Sequence, residues 1–352
     1  MPLTVGVEEE FLLVDDAGRL AGSGPEVAHE ASDPQGELET ELTRCQVESV
    51  TGVCHTPEGV LTQLTTLRAE LADVARRRGL RLLPSGAPVL PEDERPEVTP
   101  KARYLRMAEY YGATARAGTT CGCHVHIDMP DRELGVSVIN RVRPWLPALL
   151  AVTANSPFDG LDTGYASWRY QNWSRWPSAG PPPRFASLDE YDSTVDAMLR
   201  SGAILDKGMV YWDVRLSEHQ PTVEFRVSDV AATAGDAALL ATLVRGLVTH
   251  VLTDDGPEPD VSNAVLRANL WRASHDGLGG ECLHPVTAEP TPIHTQLADL
   301  LAMTATALGD DFAFAEAGLA KLREQGGGAE RQRAAYARRR RLTDVVDDLA
   351  PH

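Results

Sequence analysis

Four stretches of the chain alternate polar and apolar residues: 6–11, 44–50, 121–128 and 223–227. Successive side chains of a strand point to opposite faces. Glu8 with Glu10, Gln46 with Glu48, His124 with His126 and Asp128, and Glu224 with Arg226 therefore each share a face. The other face carries Val7, Phe11, Cys45, Val47, Val125, Ile127, Phe225 and Val227 and reads as core. The wider pattern predicts strands over 4–14, 41–53 and 80–85, and a hairpin from 211–216 and 222–230. Residues 56–78 predict an amphipathic helix, with Val60, Leu64, Leu67, Leu71 and Val74 at helical spacing and Pro57 in its first turn. Helices are also expected over 101–117, over 134–155 with breaks at Pro144 and Pro147, over 188–201, and through most of the chain after 237. Residues 88–100 read as a proline-rich surface loop, and 277–292 as an irregular break. Residues 156–183, dense in Gly, Pro, Trp, Tyr and Arg, read as a long functional loop.

An acid-rich sheet face is poor structure unless something cationic sits on it. Two unit charges about 4 Å apart repel by roughly 4 kcal/mol at an effective dielectric of 20. The pattern thus predicts bound metal, bound Arg or Lys, or raised pKa values. Neutralising one acid of the cluster, Glu224 included, is expected to leave the metal-free protein as stable or more so. Oxygen-rich ligation favours Mg²⁺ or Mn²⁺ over zinc.

Composition narrows the partners. The chain has 352 residues and a net charge of -18, which argues against nucleic acid or an anionic membrane as partner. The five cysteines are an odd number, which fits a reducing cytoplasm better than a disulfide framework. No secretory signal or bilayer-spanning run is visible, and a cytoplasmic location is expected.

The 121–128 strand invites a zinc reading through Cys121, Cys123, His124 and His126. Alternation counts against it, since the cysteines and histidines fall on opposite faces. A metal-dependent hydrolase site from His124, His126 and Asp128 is geometrically allowed, and a non-catalytic nucleotide- or amino-acid-binding protein is the other alternative. Arg226 shares a face with Glu224 and is either its ion-pair partner or an anion clamp. Arg169 lies in the aromatic loop with Trp168, Trp173 and Trp176, which either pack among themselves or touch ligand.

The motifs Gly6-Val7-Glu8-Glu9-Glu10-Phe11, Gln46-Val47-Glu48, Cys121-Gly122-x-His124-Val125-His126, Ala154-Asn155-Ser156-Pro157, Asp162-Thr163-Gly164-Tyr165-Ala166-x-x-Arg169, Tyr211-Trp212-Asp213-x-Arg215, Pro221-Thr222-Val223-Glu224-x-Arg226-Val227 and Asn269-x-Trp271-Arg272-Ala273 occur in this order. The ordered set resembles the carboxylate–amine ligase family that includes type 2 glutamate–cysteine ligases. That resemblance implies an α+β, glutamine-synthetase-like fold: a curved, mostly antiparallel sheet cupping the site, helices outside, and a helical C-terminal region, with 1–352 as one catalytic domain. It also implies ATP, Mg²⁺ (or Mn²⁺ in its place), an acyl-phosphate intermediate, small-molecule carboxylate and amine substrates, and a homo-oligomer. By motif, Glu8, Glu10, Glu48, His124 and Glu224 resemble the metal-binding set. Glu41 joins them, although a regular 41–53 strand would put it on the opposite face from Glu48. Arg226 and Arg169 resemble phosphate or carboxylate clamps, and His126 a nucleotide or substrate contact. One departure bears on the substrate: Gly86-Ala87-Pro88 stands where the family often has Gly-Thr-His-Pro.

Overall fold

The computed structural model describes residues 3–31, 36–92, 96–117, 119–254, 256, 258 and 260–350; residues 93–95 of the expected surface loop lie outside them. The strands are β1 (Val5–Val14), β2 (Gly36–Thr40), β3 (Gln46–Thr51), β4 (Arg81–Leu83), β5 (Gly122–Asp128), β6 (Val214–Leu216) and β7 (Thr222–Asp229). They form one seven-stranded sheet in the order β2-β3-β1-β5-β7-β6, with β4 also paired to β1. Every described pairing in it is antiparallel. A separate hairpin, β8 (Glu281–Leu283) with β9 (Pro290–Pro292), lies inside the expected irregular break.

The alternation divides the sheet as the sequence predicts. Val7, Phe11, Val47, Val125, Ile127, Phe225 and Val227 are buried. Several helices contact the sheet strands, among them two long ones. Helix Pro57–Arg77 buries Val60, Leu64, Leu67, Leu71 and Val74, and Thr56 caps it by accepting a hydrogen bond from the Gly59 N–H at 3.1 Å. Helix Ala234–Thr253 is buried from Asp236 through Val248. Among the described residues it is the one helix long and apolar enough to cross a bilayer, and here it is a core helix packed on Pro57–Arg77. Between helix and sheet, Glu9 is fully buried and takes Arg68 Nη2 at 2.6 Å and Nε at 2.8 Å.

Several boundaries differ from expectation. Residues 41–53 are not one strand: β2 ends at Thr40 and β3 starts at Gln46. The turn between them is closed by the Gln46 N–H on the Thr43 carbonyl at 3.1 Å and by Thr43 Oγ1 with Gln46 Oε1 at 2.5 Å. The parity argument that set Glu41 apart from Glu48 therefore fails. The expected 101–117 helix breaks at Gly112, whose φ of +53° is left-handed. Asp131 starts the next helix earlier than 134, accepting from the N–H groups of Glu133 and Leu134. Pro144 breaks it as expected, giving a 3-10 turn over Arg143–Trp145. Pro147 does not break helix Leu146–Thr153, because it sits in the first turn where no intrahelical N–H is needed. The long loop holds a short helix, Trp168–Trp173. Of the expected 211–216 strand, only Val214–Leu216 forms.

Candidate functional site

Strand register assembles the site. Glu8 pairs across β1 and β5 with His124, and Glu10 across β1 and β3 with Glu48. His126 pairs with Glu224, and Glu224 with Arg215 of β6. The β5–β7 register shifts between Cys123 and Val125: Arg226 and Val227 of β7 together stand opposite His124, an irregularity of the kind that re-aims side chains. These residues line a cleft of about 680 Å³, together with Arg103, Tyr104, Trp173, Trp176 and Tyr211.

Three trios present oxygen or imidazole nitrogen atoms within 4.8 Å of one another: Glu8–His126–Glu224, Glu8–Glu48–His124 and Glu10–Glu41–Glu48. All six residues expected to bind metal are in them. Glu41 joins because it follows the end of β2 instead of obeying a strand's alternation. His126, expected as a nucleotide or substrate contact, is brought into a trio. Asp128 is in none, and the two histidines sit in different trios, so the geometry does not build the three-residue hydrolase site. Cys121 and Cys123 are fully buried, and burial first, then nearby acids, holds both thiols well above their usual range. They belong to no trio, as the alternation required.

Electrostatics mark an unfinished charge balance. Burial and then the charges of Glu41, Glu8 and Glu10 push the Glu48 carboxyl well above the usual carboxylate range. Burial also acts to raise Glu8, but hydrogen bonds from His124 and His126 outweigh it and hold Glu8 low. His124 Nδ1 lies 3.1 Å from Glu8 Oε2; burial and Arg226 lower its pKa. His126 Nδ1 bonds Thr222 Oγ1 at 2.8 Å, and Glu8 and Glu224 raise its pKa against burial. His124 Nε2 has no hydrogen-bond partner, while His126 Nε2 lies 3.0 Å from Glu8 Oε1. A buried imidazole nitrogen without a partner, beside convergent carboxylates, fits a divalent cation with hard ligands.

Glu224 is different. Burial acts to raise it, but Arg215, Arg226 and His126 hold it well below its usual range. Arg215 grips it at 2.7 and 3.2 Å, and Arg226 also bonds it. Arg226 is thus ion-paired with Glu224, while its buried Nε has no hydrogen-bond partner. Arg169 does not line the cleft. Its guanidinium sits behind His124, over Gly122 and 5.8 Å from the Trp173 ring, with Nε and Nη1 unpartnered. A Cβ on Gly122 would fall 2.3 Å from Arg169 Nη2 and 3.0 Å from His124 Nε2, so only glycine admits this packing. The Gly122 N–H donates to Glu10 at 2.6 Å. Behind it, Asp229 accepts from Ser156 Oγ and Ser167 Oγ, each at 2.7 Å, anchoring the helix that carries Arg169.

Sequence reasoning assigned no role to Arg215, Asp229 or the Arg103–Asp206 pair. For Arg215 a signal existed: a hairpin pairing Leu216 with Val223 must set Arg215 opposite Glu224. The other two depend on contacts between segments distant in sequence.

The model of glutamate–cysteine ligase family 2 (GCS2) matches residues 4–348. The chain belongs to this family. As a member of glutamate–cysteine ligase family 2 it is an enzyme of ligase type acting on small molecules. A Rhodococcus jostii (strain RHA1) protein with the provisional name glutamate–cysteine ligase 2-1 is 52% identical over 352 residues, covering 99% of this chain and 95% of that one. A Saccharopolyspora erythraea protein with the same provisional name is 46% identical over 353 residues, covering 99% and 94%. Among solved structures, a Francisella tularensis glutamate–cysteine ligase in complex with AMP superposes with TM-score 0.72 at 13% identity, over 99% of this chain and 88% of that one. A Pasteurella multocida bifunctional glutathione synthetase gives TM-score 0.71 at 16% identity, over 99% of this chain and 52% of that one. At such identities the likeness is one of fold, and it agrees with the α+β architecture expected from the motifs.

Proposed function

We propose that this family member is an ATP-dependent carboxylate–amine ligase working through an acyl phosphate. The observation that carries the reading is the convergence of three carboxylate-rich trios on one cleft beside Arg226. A carboxylate does not react usefully with an amine at neutral pH; phosphorylation supplies a leaving group. Glu8, Glu10, Glu41, Glu48, His124, His126 and Glu224 would hold divalent cations, Mg²⁺ or Mn²⁺, which when bound neutralise the triphosphate. The chain's own residues do the rest. Glu224 fixes Arg215 and Arg226, and the paired Arg226 stays charged, raised by Glu224 against the effect of burial. From there it stabilises charge on the transferring phosphoryl group. Arg169, locked over Gly122, presses a positive charge from behind and holds His124 in place. The aromatic side of the cleft keeps water from the acyl phosphate.

In the reaction, a carboxylate oxygen attacks the γ-phosphorus and ADP leaves. The amine nitrogen then attacks the acyl carbon, phosphate leaves, and the nitrogen gives up a proton. Glutamate is the first donor to test, because the relatives' names carry it. The test is ADP release in a panel of carboxylates, with Mg²⁺ and hydroxylamine as a small nucleophile. Release that needs metal, carboxylate and nucleophile together is expected. Equal ester or amide hydrolysis without ATP would contradict the reading.

A further inference from the structure

We propose that Arg103 is the clamp for the α-carboxylate of an amino-acid substrate, and that Asp206 occupies it until that substrate enters. The inference rests on the ligase reading above and concerns the same cleft. Arg103 lies in the first turn of helix Ala102–Tyr111, and Asp206 immediately precedes the 3-10 turn Lys207–Met209. Both line the cleft. Arg103 Nε and Nη2 each donate to one Asp206 oxygen, at 2.8 and 3.1 Å. That is the two-point geometry in which a guanidinium receives any carboxylate.

The pair is close to the reacting centre. The Arg226 guanidinium lies 5.8 Å from the Tyr211 ring centroid, and its partner Glu224 belongs to the His126 trio. Tyr211 neighbours the second pair as well: burial raises the pKa of its hydroxyl, and Arg103, Arg226 and Arg215 all act against that rise. A substrate that places its reacting group at the trios and its α-carboxylate across Tyr211 meets Arg103.

Exposure decides which arginine can change partners. Arg215 and Glu224 are 10% and 1% exposed, and parting a buried pair leaves both charges uncompensated. Arg103 and Asp206 are 45% and 41% exposed, so a displaced Asp206 is taken up by water. A pair as exposed as this contributes little, and a substrate carboxylate replaces Asp206 on the same two donors. Lys207 also lines the cleft and is loosely engaged, 3.5 Å from a half-exposed Asp196; it adds positive charge for the entering anion. The exchange requires no movement of the backbone. Tyr110 donates its hydroxyl to the Gly202 carbonyl at 3.0 Å and Tyr111 to that of Ala203 at 2.9 Å, which ties the helix to the 202–206 segment without help from the ion pair.

The experiment has two arms, read as KM and kcat/KM. In the donor arm, with hydroxylamine as nucleophile, glutamate is compared with 4-aminobutyrate, which keeps the distal carboxylate and lacks the α-carboxylate. In the acceptor arm, with the donor that passes the hydroxylamine screen, α-amino acids are compared with their decarboxylated amines, beginning with cysteine and cysteamine. In at least one arm the amino acid is expected to exceed its decarboxylated partner in kcat/KM, and that arm identifies the substrate held by Arg103. There Arg103→Met should raise KM for the amino acid by about tenfold or more, and change that of the decarboxylated partner by less than about twofold. Asp206→Asn should act in the opposite direction, lowering KM for the amino acid by about twofold to fivefold, because the substrate no longer displaces a charged rival. A purely structural ion pair predicts that both variants impair every substrate alike. KM moving in the same direction for the two variants, an Arg103→Met effect equal for both members of each pair, or no amino acid exceeding its partner in either arm would overturn the inference while leaving the ligase reading intact. No ADP release with hydroxylamine for any carboxylate would overturn the ligase reading and this inference with it.

Discussion

Neutralising Glu224 and neutralising Glu48 are predicted to move the stability of the metal-free protein in opposite directions. The bare expectation for an acid cluster is that losing any one charge helps. For Glu224 the structure reverses it, because this carboxylate is 1% exposed and carries two arginines, Arg215 and Arg226. Glu224→Gln leaves two buried guanidinium groups without their counter-charge. Breaking a buried pair from one side costs about 3–5 kcal/mol, and since glutamine keeps an acceptor we take about 3 kcal/mol. Unfolding entropy of roughly 2.1 cal/mol/K per residue gives roughly 0.7 kcal/mol/K for a chain of this length, so Tm should fall by about 4 °C. Glu48 faces Glu10 across the strands and has Glu41 and Glu8 nearby. Its folded pKa is raised, so the folded state binds its proton more tightly than the unfolded state. Stability from this group is therefore lost as pH rises from the unfolded carboxylate pKa through the raised folded value. Glu48→Gln removes that loss. Tm should therefore rise near pH 8, and the gain should vanish toward pH 4. Thermal melts in EDTA from pH 4 to 9 measure both. Shifts of the same sign for the two variants at pH 8 would refute the reasoning.

Four further outcomes follow from the same geometry. Mg²⁺ or Mn²⁺ should raise the Tm of the wild type more than that of Glu48→Gln, since an ion that binds only the folded state stabilises it and Glu48 belongs to two of the three trios; equal shifts in a melt series would contradict the trios. Gly122→Ala should fold but lose activity by orders of magnitude, because the new methyl group displaces both Arg169 and His124; steady-state kinetics with circular dichroism measures this. Arg68→Met should destabilise by about 3 kcal/mol in urea unfolding by leaving Glu9 buried and unpaired, while adding Glu9→Gln should recover most of it. Cys121→Ala with Cys123→Ala should cost about 1–2 kcal/mol from lost packing and leave catalysis near wild type; stoichiometric zinc lost on the double change would contradict the site described above.

Much of this site was legible because β-strand alternation is a rigid rule. Once β1, β5 and β7 are recognised, Glu8, Glu10, His124, His126, Glu224 and Arg226 must share one face, and Cys121 and Cys123 the other. The rule misled at Glu41, where the residues around the Thr43–Gln46 turn look as apolar-alternating as a strand but reverse the chain. It was silent about Arg169, because helix Trp168–Trp173 sits in a segment with no period. That arginine's role depends on Gly122 and Asp229, which are distant in sequence and meet only in the folded packing. The helices were legible where a stripe or a cap was strong, as in Pro57–Arg77. They were misplaced where proline falls in a first turn, as at Pro147, since the same residue breaks a helix interior and begins a helix equally well.

The central claim is that the carboxylate is activated by phosphorylation, and isotope transfer tests it most directly. The donor carboxylate is labelled with ¹⁸O in both oxygens and turned over with ATP, Mg²⁺ and amine, and the released phosphate is analysed by mass spectrometry. An acyl-phosphate route predicts one ¹⁸O in each phosphate formed, because the carboxylate oxygen that attacks phosphorus leaves with it. Phosphate released at the rate of amide formation without ¹⁸O would contradict the account.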